Sequence, residues 1–176
     1  MRRTIIASAS LAMISPSACV AASAHARGIW VEAELGAVGG KDGAHAPGVR
    51  TDPREARQFV AATGVDALAV AVGSSHAMTD RTAQLDVDLI RALAATAGVP
   101  LVLHGSSGVS DEGIVAAVRA GIRKINVGTA LNVAWSDALR SSMAAEPDAV
   151  DPRRYYLGPR DAVTTVVAHL CEVIAG

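Results

Sequence analysis

The stretch that most constrains the fold is residues 99–129, VPLVLHGSSGVSDEGIVAAVRAGIRKINVGT. Residues 99–103 are apolar on both faces, which is typical of a strand buried on both sides of a parallel sheet. A glycine-serine turn comes next, then a helix with Ser110 as its predicted N-cap, and then a strand that ends in a second small polar turn, residues 126–129. Because glycine backbones and serine hydroxyls donate to anions, two such neighbouring turns predict a phosphate site at the top of an α/β barrel.

Two histidines follow apolar strands. His104 comes directly after residues 99–103, and His76 follows the apolar run 67–73. A lone histidine at such a position is more often structural than a metal ligand. Two imidazoles at the same strand ends, beside an anion-binding turn, predict a metal next to a phosphate.

Four ordered motifs carry a family resemblance. They are VEAELGAVGGKDG, GVDALAVAVGSSHAM, VPLVLHGSSGVSDE and RKINVGT, followed by the closing segment DPRRYYLGPRDAV. In this order and spacing the chain resembles the class II (zinc-dependent) ketose-bisphosphate aldolases, which include the fructose- and tagatose-bisphosphate enzymes. The resemblance runs from about residue 25 to the C-terminus.

The resemblance implies a reaction and a set of site residues. The reaction is reversible cleavage of a ketose bisphosphate to dihydroxyacetone phosphate and glyceraldehyde 3-phosphate, with zinc as the divalent metal and a monovalent cation as a further option. The implied metal ligands are His76 and His104, with Glu34 as an alternate ligand or a residue that orients one. The residues implied to contact dihydroxyacetone phosphate are Gly105, Ser106, Ser107, Asn126, Val127, Gly128 and Thr129.

Two further assignments depart from the family pattern. The glycine-rich loop 36–50 resembles a lid that carries the acidic proton-transfer residue, where many members have adjacent Glu-Asp. Here Lys41 precedes Asp42, so Asp42 is the candidate catalytic residue. Ala77 stands where many members have a glycine whose backbone meets the substrate, and His45 is interpreted as a solvated loop residue.

Residues 29–35 form a predicted strand with two carboxylates on one face. Glu32 and Glu34 share that face because side chains alternate along a strand. Two buried carboxylates need partners, and two kinds are open. One is an ion pair with an Arg or Lys, and the other is a metal.

The predicted elements alternate between strand and helix. Strands are expected near residues 29–35, 66–73, 99–104 and 122–127, which indicates a parallel sheet with right-handed crossovers. A closed (β/α)₈ barrel of the TIM type takes eight strands and about 250 residues. Residues 25–176 are therefore predicted to form the last four βα units of such a barrel. The family's His-x-Asp-His-type segment, which brings a third histidine and the proton-shuttling aspartate, has no match in the sequence.

Residues 1–24 differ from the rest and stay unassigned. Arg2-Arg3, a short apolar and serine-rich run, and small residues near Ala24 imitate an export signal. The run is too short and too interrupted to span a membrane. Since residues 25–176 resemble a sugar-phosphate enzyme of the cytoplasm, an altered start, such as a shifted reading frame, is favoured over a true signal.

Composition excludes several classes of function. The chain has 176 residues, 16 Lys+Arg against 17 Asp+Glu and 3% aromatic residues, so it offers neither a basic field nor stacking platforms for nucleic acid. Its two cysteines, Cys19 and Cys171, form no disulfide framework, and a cytoplasmic location is expected.

Three functional hypotheses remain. The first is a metal-dependent aldolase that takes a sugar phosphate. The second is a remnant that binds phosphate or a partner chain without turnover. The third is another phosphate-binding barrel, such as an isomerase or synthase, against which the two strand-end histidines speak. No membrane partner is expected, whereas association into homo-oligomers or through open sheet edges is.

Overall fold

One parallel sheet organises the chain. The computed structural model describes residues 14–35, 50–76 and 78–176, together with the backbone of residues 4–9. Within these ranges five strands lie side by side in chain order, and every neighbouring pair is parallel. All strand carboxyl ends therefore lie at one edge of the sheet. The strands are β1 (Thr4–Ala9), β2 (Trp30–Leu35), β3 (Ala67–Val70), β4 (Leu101–Leu103) and β5 (Ile122–Ile125).

Helices connect the strands, and their ends follow local sequence rules. Asp52 caps one helix by accepting from the backbone N–H of Arg54 and Glu55 at 2.8 and 3.1 Å, with Pro53 in the first turn. Ser110 caps another as predicted, since its Oγ accepts from Gly113 N at 3.1 Å. The helices are α1 (Ile14–His25), α2 (Pro53–Thr63), α3 (Val87–Thr96), α4 (Asp111–Ala120), α5 (Thr129–Ala145), α6 (Pro152–Tyr155) and α7 (Leu157–Ala175).

The predicted parallel α/β fold is confirmed. Each of the four predicted strands is present within its predicted range, as β2 to β5. β2 ends at its predicted residue, whereas β3, β4 and β5 end one to three residues before their predicted ends, because the chain leaves the hydrogen-bond ladder there to form the polar turns. A β-bulge between Leu101 and Val102 shifts the register of β4 against β5.

The N-terminal segment contains a strand, and most of a helix, that the sequence did not predict. β1 pairs with β2 along its whole length, from Thr4 opposite Trp30 to Ala9 opposite Leu35, and α1 follows it. The run around Ile5 and Ile6 favours a strand because β-branched side chains suit a pleated surface. A fifth strand and its helix thus precede the four predicted βα units.

The two faces of the sheet differ. On one face, apolar residues of β2 to β5 pack against the helices in a continuous core that includes Phe59, Ile90 and Leu93. The other face carries a small cluster of Ala67, Ala69 and Val102 with Trp30 against it. Glu32 lies opposite Ala67, and Glu34 lies opposite Ala69, so both carboxylates lie on this second face.

The C-terminal helices lie at the side of the sheet. α5 packs chiefly against α7, and none of the α5 residues is buried. Cys19 and Cys171 are both exposed and free. In the described part of the chain, every helix is too short or too polar to cross a membrane.

Candidate functional site

The two predicted histidines and one glutamate converge at the carboxyl edge of the sheet. Glu34 lies on β2, His76 in the turn after β3, and His104 directly after β4. One ligand atom from each of the three residues lies within 4.8 Å of the other two. The imidazole rings meet edge to face, with centroids 5.6 Å apart. The convergence follows from topology, because the ends of adjacent parallel strands are neighbours.

His104 lies buried between two carboxylates. Its Nδ1 is 2.8 Å from Glu34 Oε2, and its Nε2 is 3.1 Å from Glu32 Oε1. Burial alone would lower the pKa of His104, but the hydrogen bonds to Glu32 and Glu34 outweigh it and raise the pKa from 6.5 to about 9. The carboxylates thus orient the ring through both nitrogens.

Lys124 balances the second carboxylate. Glu32 is fully buried, and Lys124 Nζ lies 2.8 Å from its Oε2. That oxygen has no hydrogen bond of good geometry, so the contact with Lys124 is an ion pair rather than an aligned hydrogen bond. Burial would raise the pKa of Glu32, yet the hydrogen bond with His104 and the nearby positive charge of Lys124 lower it overall. The sequence left open whether the two carboxylates pair with a basic residue or with a metal. For Glu32 the partner is a basic residue, Lys124.

Asn126 joins this network from the turn after β5. Its Nδ2 donates to Glu32 Oε1 at 3.3 Å and lies 2.8 Å from His104 Nε2, while its Oδ1 accepts from Lys124. Sequence reasoning did not place Glu32 and Lys124 among the site residues. Alternation along β2 is the signal that could have included Glu32. Lys124 could be placed in the site only from the register of β5 with β4, in which it lies opposite Val102.

The donor set fits a divalent metal such as zinc. Imidazole nitrogens and carboxylate oxygens are zinc ligands, and zinc binds them at about 2.0–2.2 Å. Donor atoms within 4.8 Å of one another therefore need only small movements to share one ion. A histidine whose second ring nitrogen faces a carboxylate, as His104 faces Glu32 or Glu34, is typical of metal-bound imidazoles.

The two predicted phosphate turns are held together by hydrogen bonds. Ser106–Gly108 forms a single 3₁₀ turn after β4. Ser106 Oγ donates to the Asn126 carbonyl at 2.7 Å, and Ala130 N donates to Ser107 Oγ at 3.0 Å. The Ser106 hydroxyl proton is therefore engaged within the protein, whereas the Ser107 hydroxyl accepts and keeps its proton to donate.

A glycine is required where the first turn begins. Gly105 has φ +66°, and a Cβ built on it would lie 2.6 Å from the Ser75 backbone. The left-handed conformation and this close approach both favour glycine. Ser74 Oγ donates to the His104 carbonyl at 2.5 Å, so the segment that carries His76 is fastened to the turn after His104.

The structure brings most of the predicted residues to this edge. The metal-ligand candidates and both phosphate turns lie together, because they follow β2, β3, β4 and β5. Asp42, His45 and Ala77 lie outside the described residues, so their predicted roles stay predictions.

Comparison with known proteins places the chain in a family. The family model described as Fructose-bisphosphate aldolase class-II matches residues 14–176. Among solved structures, the YdjI aldolase of Escherichia coli K12 is similar, with 31% identity, a TM-score of 0.79, and coverage of 98% of this chain and 61% of that chain.

Two further solved structures have the same fold. A proposed fructose-1,6-bisphosphate aldolase from Coccidioides immitis is 27% identical, with a TM-score of 0.83 and coverage of 98% of this chain and 62% of that chain. Fructose-bisphosphate aldolase from Campylobacter jejuni is 19% identical, with a TM-score of 0.78 and coverage of 98% and 60%. The chain thus spans about three fifths of the length of these proteins and forms part of a TIM-barrel-type fold. It belongs to the class II fructose-bisphosphate aldolase family.

Proposed function

We propose that this chain supplies the metal- and phosphate-binding part of a class II aldolase. The proposed reaction is the reversible cleavage of fructose or tagatose 1,6-bisphosphate to dihydroxyacetone phosphate and glyceraldehyde 3-phosphate. The observation that carries the proposal is the convergence of Glu34, His76 and His104 beside the turns after β4 and β5. Metal and phosphate sites side by side are what a substrate with a carbonyl and a phosphate requires.

The proposed metal ligands are His76 and His104, with Glu34 as a third or alternate ligand. When bound, a zinc ion would act as a Lewis acid that stabilises negative charge on the substrate's carbonyl oxygen during carbon–carbon cleavage. Glu32 and Lys124 support this site by holding His104 and neutralising the buried negative charge. A monovalent cation in addition to zinc is an option that only the family resemblance supports.

The proposed phosphate site consists of backbone N–H groups and one hydroxyl. Ser106 and Ser107 open a 3₁₀ turn, so the turn itself does not use their N–H groups. The second turn leads into α5, which begins at Thr129, and the N-terminus of a helix favours an anion through its N–H groups and its dipole. Binding the phosphate away from the reacting carbons fixes the substrate's orientation, which accelerates the chemical step. The proposed contacts are Gly105, Ser106, Ser107, Ala77, Asn126, Val127, Gly128 and Thr129.

Proton transfer is assigned on the resemblance alone. Asp42 is the proposed proton donor or acceptor of the loop that follows β2.

A second candidate function is binding of phosphate or a partner chain without turnover. It is favoured by one observation, namely that the chain spans only 61% of the YdjI aldolase. A cytoplasmic location is also part of the proposal.

One set of measurements on the purified full-length chain distinguishes these functions. Zinc stoichiometry is measured by elemental analysis, dihydroxyacetone phosphate binding by calorimetry, and cleavage of both bisphosphates by a coupled assay. Zinc binding with bisphosphate cleavage supports the aldolase. Zinc and triose phosphate binding with background cleavage supports the second function. If neither zinc nor the triose phosphate binds, both are wrong.

A further inference from the structure

The turn at Ser106–Gly108 is supported from outside by the segment that follows His76. Ala83 N donates to the Gly108 carbonyl at 2.8 Å, and Ala83 forms an isolated parallel bridge with Val109. Arg81 Nε donates to the Val109 carbonyl, also at 2.8 Å. The hydrogen bonds inside the turn are few, with Val109 N to the Ser106 carbonyl at 2.9 Å and a longer one at 3.4 Å. The segment that contains Arg81 and Ala83 therefore supplies many of the hydrogen bonds that hold the turn in place.

Arg81 makes a second contact that extends this support to two helices. Its Nη2 donates to Asp111 Oδ1 in the first turn of α4. Asp111 Oδ2 in turn lies 2.8 Å from His169 Nε2 on α7. The Arg81 guanidinium holds the pKa of Asp111 below its usual value, with a smaller contribution from His169, although burial acts in the opposite direction. The planar guanidinium can serve a carbonyl and a carboxylate at once, which an ammonium group does less well.

Packing does not fully replace these hydrogen bonds, because a cavity borders the turn. The cavity has a volume of about 330 Å³, and Arg81, Ser106 and Ser107 are among the residues that line it. Its lining also includes Val127 and Ala130 at the second turn, and residues of α7 such as His169. A turn that borders empty space has room to shift when a hydrogen bond that anchors it is removed.

We infer that Arg81 is a positioning residue of the phosphate site, acting through the Val109 carbonyl and Asp111 on the turn at Ser106–Gly108. Arg81 holds the turn so that the N–H groups of Ser106 and Ser107 face the phosphate. This inference rests on the proposed function, since it concerns the same turn. It predicts that loss of Arg81 weakens phosphate binding while leaving the metal site intact. His104 is held by Glu32 and Glu34, and the segment that carries His76 is held by the hydrogen bond from Ser74 to the His104 carbonyl, none of which involves Arg81.

The test compares Arg81→Ala and Arg81→Lys with Arg91→Ala in the full-length chain. Arg91 is a matched control, because it also pairs with an aspartate, Asp88, but on the exposed surface of α3. Binding of inorganic phosphate and of dihydroxyacetone phosphate is measured by calorimetry, and zinc content by elemental analysis. We expect Arg81→Ala to weaken both ligands by about 5- to 30-fold, which corresponds to 1–2 kcal/mol. Arg81→Lys should recover part of the loss, and zinc content should not change.

Affinity within twofold of the Arg91→Ala control would overturn the inference, as would an equal loss of zinc. Amide hydrogen exchange at residues 105–109 tests it without a ligand and separates its failure from that of the proposed function. Faster exchange there in Arg81→Ala supports the positioning role even if the parent chain binds no phosphate, and unchanged exchange contradicts it. If Arg81→Ala does not fold, Asp111→Asn replaces it, since this isosteric change weakens only one end of the contact. For Asp111→Asn too, weaker phosphate binding and faster amide exchange at residues 105–109 support the inference, and unchanged values contradict it.

Discussion

At the scale of single residues, the centre of the site is a balance of charge. Two carboxylates from β2 face two basic groups: His104 contacts both Glu32 and Glu34, and Lys124 forms an ion pair with Glu32. The proton shared by His104 Nδ1 and Glu34 joins two atoms that are also proposed metal ligands. Metal affinity therefore depends on deprotonating this pair, as it does at histidine sites generally.

The first prediction concerns the metal ligands. His76→Ala and His104→Ala should each lower zinc affinity by at least about tenfold, because each removes one of very few ligands. His25→Ala is the control, since His25 pairs with Asp66 at the opposite end of the sheet. Zinc competition titrations measure the change. Unchanged affinity in either site variant would show that the ligand assignment is wrong.

The second prediction concerns the buried carboxylate. Glu32→Gln should lower the free energy of unfolding by about 1–3 kcal/mol, because Lys124 and His104 lose a charged partner while Lys124 keeps access to water. Urea denaturation measures the change. Glu55→Gln, on an exposed position of α2, is the control and should change the free energy by less than about 0.5 kcal/mol. Equal effects of the two substitutions would contradict the role of Glu32.

The contacts of these residues could be predicted only in part from the sequence. The shared face of Glu32 and Glu34 follows from alternation along one strand, so the sequence predicts it. The partner of Glu32 does not follow, because Lys124 reaches it only through the register of β2, β3, β4 and β5 and the bulge at Leu101. Arg81 was missed for a similar reason, since its contacts depend on the path of an irregular segment.

At the scale of elements, the turns after the strands are the specialised parts. Strands β2 to β5 and the caps of α2 and α4 could be predicted, because apolar runs, glycines and capping residues mark them locally. β1 and α1 could not, because an alanine- and serine-rich segment resembles an export signal. The β-branched residues Ile5 and Ile6 are a weak local signal, and the pairing with β2 shows the first element to be a strand. Local sequence patterns thus predict helices and strands of distinctive composition, and they miss a strand that is recognisable chiefly by its pairing with another strand.

The third prediction belongs to this scale and concerns the turn after β4. Gly105→Ala should lower the free energy of unfolding by more than Gly98→Ala does. Both glycines have left-handed backbones, with φ +66° and +75°, so both variants lose about 1–2 kcal/mol for that reason. Only at Gly105 would the added Cβ meet the Ser75 backbone, at 2.6 Å, whereas it has open space at Gly98. Urea denaturation and triose phosphate binding measure the difference, and equal losses would contradict the close approach.

At the scale of the whole molecule, the sheet formed by the described strands is open. Among the described strands, β1 and β5 each have one neighbour. Backbone groups on the outer sides of edge strands are available for pairing with another chain. The described residues also expose apolar side chains on the C-terminal helices, including Met143, Leu157 and Val167. Both features favour association.

The fourth prediction follows from these edges. The purified chain should form oligomers or bind a complementary chain, because unpaired strand edges with apolar flanks are costly in water. Light scattering over a range of concentrations measures the mass. A mass that rises with concentration, or a defined oligomer, is the expected result. A monomer at every concentration would show that the edges are covered within one chain.

The order of the strands also has a consequence for how the protein forms. Because every strand pairs with the one before it in the chain, each βα unit can add to a preformed edge while synthesis proceeds. Pairing between sequence neighbours keeps contact order low for a parallel sheet, which speeds folding. The residues of the site come from β2 through the turn after β5, so the site is complete only after that last strand has docked. A nascent chain that stops before residue 126 would therefore fold its first units and still lack Asn126, the group that joins His104 to the second phosphate turn.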